Sequence, residues 1–84
     1  MTERTVTIEL ASGLEARPIA MLVQLASSYE SKIYVQSDNK KVNAKSIMGM
    51  MSLSVHGGDE VVVITDGVDE SEAAKEIQTY LSNQ

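Results

Sequence analysis

Apolar and polar residues alternate along Thr5-Val6-Thr7-Ile8-Glu9-Leu10, a period of two that predicts a strand with one buried face. Ser12-Gly13 interrupts it. Pro18 suits the first turn of a helix, where its missing N–H costs nothing. Ile19, Leu22, Val23 and Ala26 then keep helical spacing as far as Ser28. Alternation returns over Lys32 to Gln36, with Ile33 and Val35 on one side. Asp38-Asn39 tolerates left-handed backbone and predicts a tight turn. Lys40 to Asn43 then reads as a short edge strand whose lysines discourage pairing with other edges. Glu60 to Thr65 is a β-branched run between Gly57-Gly58 and Asp66-Gly67, as expected of a central strand. Asp69 and Glu72 have the spacing of a capping box, and Ala73, Ala74, Ile77, Tyr80 and Leu81 line one face of a final helix.

The predicted order is strand, helix, strand, strand, short helix, strand, helix. Amphipathic helices interleaved with strands that bury one face make an α+β two-layer sandwich. Eighty-four residues predict a single domain spanning 1–84, and 43% apolar residues exclude a disordered chain. A chain this short buries only about 60–65% of its unfolded surface, which leaves few side chains for an enclosed pocket. Catalysis is therefore not expected. Twelve acidic against seven basic residues give a net charge of −5, which opposes direct nucleic-acid binding. The chain has no cysteine, hence no disulfide and no thiolate metal site. It also lacks an apolar run of about 18 residues and a signal-like start, so the expected location is cytoplasmic, with no membrane contact.

Three segments could carry chemistry. Lys45 to Leu53 begins with Ser46, whose hydroxyl can accept a bond from a free amide at the start of a short helix. At about 100° per residue, Ile47, Met48, Met50, Met51 and Leu53 spread over roughly 220° of that helix. One packed face takes about half of this. Met50 and Leu53 are the natural inward pair, which leaves Ile47, Met48 and Met51 outside as a soft contact surface. The alternative is a more deeply buried helix with a cap serine and no further role. A phosphate on Ser46 would meet the positive end of the helix. Gly13-Leu14-Glu15-Ala16-Arg17-Pro18 runs into the first helix, where Arg17 could pair with Glu15 or with a visiting phosphate. His56 is the one histidine; alone it builds no metal site and no acid–base pair, and it reads as a solvated loop residue.

These two blocks resemble the HPr phosphocarriers of the bacterial sugar phosphotransferase system. Gly13 to Pro18 is similar to the active-site block Gly-(Leu/Ile)-His-Ala-Arg-Pro, with Glu15 in the place of the histidine. Lys41 to Leu53 is similar to the family's regulatory block, and Asp69-Glu70 with Ala73 agrees with its ending. The resemblance implies an open-faced β-sandwich, βαββαβα, with an antiparallel sheet of order 1-4-2-3. It implies no cofactor. It implies that Ser46 is phosphorylated by HPr kinase/phosphorylase, and that the product is corepressor of a LacI-type catabolite control protein. In that complex Arg17, Ile47, Met48 and Met51 would meet the regulator. A carboxylate at position 15 cannot form the transferable phosphoramidate, so Glu15 and Arg17 make a degenerate carrier site. Family chains of that kind are similar to the catabolite-repression branch, Crh, which usually carries glutamine there and can form a strand-swapped homodimer. The other reading is a phosphocarrier inactivated at position 15.

Overall fold

The computed structural model describes residues 1–10 and 16–82. Four strands, β1 (Thr2–Thr7), β2 (Lys32–Ser37), β3 (Lys40–Asn43) and β4 (Glu60–Asp66), alternate with α1 (Ala16–Ser27), α2 (Ile47–Met51) and α3 (Glu70–Ser82). The strands form one antiparallel sheet of order β1-β4-β2-β3. This is the expected βαββαβα sandwich. α3 lies over β1 and β4, α2 over β3, and α1 packs against both other helices.

Alternation explains what is buried. Val61, Val63 and Thr65 of β4 share a face with Ile33 and Val35 of β2 and with Val6 of β1. Ile19, Leu22 and Ala26 of α1, Met50 of α2, and Ala73, Ile77 and Leu81 of α3 close over them. The opposite face carries Val62, Tyr34, Gln36 and Lys41, where the Lys41 ammonium stands 4.9 Å from the Tyr34 ring centroid.

Two local expectations are corrected. β1 was expected over Thr5 to Leu10 but pairs with β4 over Thr2–Thr7. Thr2 and Arg4 point to the helix side although they are polar, because α3 supplies their partners. Thr2 Oγ1 donates to Glu70 Oε2 at 2.6 Å, and Arg4 Nη1 donates to Gln78 Oε1 at 2.8 Å. Past Thr7, Ile8 stays fully buried, but its N–H goes to the Asp59 carbonyl and the Glu9 N–H to the Leu81 carbonyl of α3. Burial thus outlasts the ladder.

The capping box is the second. The Asp69 carboxylate turns away from its own helix and accepts from the Glu30 and Ser31 amides, each at 2.9 Å, and from the Ser31 hydroxyl. The turn between α1 and β2 leaves those amides without strand partners, and an ionised acceptor satisfies both together. Bonds to the Ser31 hydroxyl and the two amides hold the Asp69 carboxyl below the usual carboxylate range.

Candidate functional site

α2 is only five residues long, so its ends matter more than its propensity. Ser46 caps the start in extended conformation, φ −114° and ψ 117°, and its Oγ accepts from the Gly49 N–H at 3.1 Å. The Asn43 side chain accepts from the Lys45 N–H at 2.8 Å, and its carbonyl accepts from the Ser46 N–H at 3.1 Å, which turns the chain from β3 into the helix. At the other end the Ser52 hydroxyl donates to the Gly49 carbonyl at 2.6 Å, and the Lys40 ammonium donates to the Ser52 carbonyl at 2.9 Å. A cation belongs at that end of a helix. The Lys45 ammonium ties the entry to the turn that follows α1 through the Tyr29 carbonyl at 2.6 Å.

The bonds at both ends set which face of the helix turns inward. Met50 is completely buried and Leu53 nearly so, at 3% exposure, while Ile47, Met48 and Met51 remain 49%, 82% and 55% exposed. Three neighbouring apolar side chains therefore face solvent beside a serine that is itself only half-buried. Soft, unbranched methionines suit such a contact surface.

Arg17 is exposed in the first turn of α1, the helix that packs against α2. Glu15, the other member of the block, lies outside the described residues, as does the Ser12-Gly13 break. Two features near Arg17 were not foreseen. Met21, one turn further along α1, is 53% exposed and adds a methionine off the helix's buried stripe. Its position about 160° from Ile19 on the helical wheel was the available signal. Tyr80 of α3 donates its hydroxyl to the Pro18 carbonyl at 3.1 Å. It is 62 positions away in sequence, so no local pattern marks the pair.

Nothing comparable surrounds His56. It is exposed, and its backbone N–H donates to Asp59 Oδ2 at 3.0 Å in a turn. Among the described residues no group of three or more His, Cys, Asp and Glu side chains could hold a metal ion. No described helix is long and apolar enough to cross a membrane.

Comparison with known proteins agrees with this geometry. Residues 2–83 match the family described as PTS HPr component phosphorylation site. The HPr-like protein Crh of Halalkalibacterium halodurans is 44% identical over 84 residues, covering 100% of both chains. The crystal structure of the phosphocarrier protein HPr from Bacillus anthracis superposes with a TM-score of 0.93 at 40% identity, over 95% of each chain. That of Crh from Bacillus subtilis, a swapped dimer, gives a TM-score of 0.81 at 45% identity, over 100% of this chain and 97% of that one.

Proposed function

Because the chain belongs to the HPr family and is a relative of its regulatory Crh members, we propose that it transmits a carbon catabolite repression signal through phosphate on Ser46. Proteins of this family are phosphocarriers and not enzymes themselves. In this reading HPr kinase/phosphorylase writes the phosphate, and a LacI-type catabolite control protein reads it in the cytoplasm, with the chain acting as one domain. The observation that carries the reading is the juxtaposition at α2: a cap serine beside exposed Ile47, Met48 and Met51.

The chemistry suits a signal that leaves the fold alone. Ser46 Oγ already serves as an acceptor for the Gly49 amide. Phosphorylation replaces it with more acceptor oxygens and a charge of about −1.5 to −2 at neutral pH. First-turn amides favour an anion there, so α2 keeps its shape. The new charge is then available to basic groups on the regulator. The apolar side chains supply the desolvated centre of the contact, where a few residues carry most of the energy, and Arg17 contributes a rim charge.

Glu15 stands where the resemblance puts the phosphoryl-accepting histidine, and a carboxylate there gives no phosphoramidate. Regulation rather than phosphoryl relay follows. We also propose slow exchange of β1 between two copies of the chain. β1 is an edge strand with β4 as its one partner in the sheet, and the Bacillus subtilis Crh dimer is swapped. Sedimentation after long incubation over a wide concentration range tests this, and persistent monomer rejects it.

The deciding experiment for the main reading is treatment with kinase and ATP, fragment mass spectrometry, and calorimetric titration against the regulator. One phosphate on Ser46 and a kinase-dependent rise in affinity are expected. A phosphate that persists in Ser46→Ala, or binding indifferent to phosphorylation, rejects it.

A further inference from the structure

Arg17 can serve a recognition surface only if the first turn of α1 is held in a fixed direction. Packing supplies part of that hold, through buried Ile19 and Leu22. These contacts resist separation of the helix from the core more than they resist rotation of its end, because dispersion contacts are many, weak and non-directional. A directional restraint comes from α3. The Tyr80 hydroxyl donates to the Pro18 carbonyl at 3.1 Å, one residue beyond Arg17. Among the described residues it is the one side-chain hydrogen bond that reaches this turn from another element. The Tyr80 ring packs against the core cluster, so the hydroxyl is itself well placed. Partial burial raises the phenol above its ordinary value, so it stays protonated and able to donate.

We propose that Tyr80 is a positioning residue for the regulator-binding surface: its bond to the Pro18 carbonyl orients the first turn of α1, and with it Arg17, relative to the patch on α2. This rests on the function proposed above. Tyr80 touches no partner; it acts through Arg17.

The test is Tyr80→Phe, which keeps the ring and removes the donor. In the Ser46-phosphorylated protein it should weaken regulator binding about 3- to 10-fold, the scale of one neutral hydrogen bond. Arg17→Ala should weaken binding too, and adding Tyr80→Phe to Arg17→Ala should change it no further, because the residue being oriented is gone. Gln78→Ala removes a hydrogen bond made by the same helix to β1 and should leave affinity unchanged. Full binding by Tyr80→Phe, or an equal loss with and without Arg17, overturns the proposal. If the phosphorylated parent itself does not bind, the functional reading has failed, and Tyr80 is judged by residual dipolar couplings of the Arg17, Ile19 and Ala20 amides. A reorientation of those amides in Tyr80→Phe supports the positioning role, and unchanged couplings overturn it.

Discussion

Gly67 lies close against Ser31, and alanine there would build a Cβ 2.7 Å from both Cα and Oγ of Ser31 and 3.0 Å from its Cβ. The first of these is a main-chain atom and cannot swing aside. Gly67 also has φ +155°, a region that side chains disfavour. A residue forced into such a conformation costs about 1–3 kcal/mol, and a methyl that overlaps its neighbours costs about 1–3 kcal/mol more. Ser31 would have to move, and it donates both its amide and its hydroxyl to Asp69 at the start of α3. The expected loss is about 2–6 kcal/mol, a large share of the roughly 4–13 kcal/mol available to an 84-residue fold. Calorimetry should show a fall in Tm of at least about 10 °C. Gly49→Ala is the control. Its Cβ would meet nothing closer than 3.4 Å, and alanine in a helix gains up to about 1 kcal/mol over glycine, so that variant should melt at or above the parent. If Gly67→Ala unfolds within about 0.5 kcal/mol of the parent, a typical surface-substitution effect, the Ser31 contact does not constrain the fold as argued.

Met51→Asp, at an exposed position, should leave circular dichroism unchanged and cost the phosphorylated protein about 2 kcal/mol or more of regulator affinity by titration; unimpaired binding would remove the patch from the recognition surface. Met50→Ala, one residue away and fully buried, should instead cost about 2–5 kcal/mol of stability in urea. Acid should destabilise the fold through Glu70, whose carboxyl is held down to about 2 from 4.5 by the Thr2 hydroxyl, then by the Met1 ammonium and the Gly67 amide. Its contribution is complete above pH 4.5 and is lost as pH falls toward 2, so Glu70→Gln should flatten that part of a denaturation-midpoint profile. Phosphoenolpyruvate with the general phosphotransferase enzyme should not label the chain, whereas Glu15→His should restore partial labelling; efficient labelling of the parent would contradict a degenerate carrier site.

Periodicity together with turn chemistry and β-branched composition was enough to reveal the seven elements, because local signals record where an element starts and which of its faces is apolar. Val6 and Ile8, Ile33 and Val35, and Ile77 and Leu81 are buried as their spacing predicts. The inward turn of Met50 and Leu53, which exposes Ile47, Met48 and Met51, follows from the limited width of one packed helix face. The Ser46 cap was legible for a similar reason: its donor, the Gly49 amide, lies three residues away. Tertiary structure decided the rest through partners that are distant in sequence. Thr2 and Arg4 are polar on an inward face because Glu70 and Gln78 meet them from positions 68 and 74 residues away. Asp69 carries a local capping pattern yet binds the turn before β2, 38 and 39 residues back, because unpaired amides there compete for the same carboxylate. The Tyr80–Pro18 bond and the Gly67–Ser31 contact likewise arise only when α3 and the end of β4 are laid against α1 and the turn that follows it. A sequence pattern specifies faces, and the partners on those faces are set by how the elements pack.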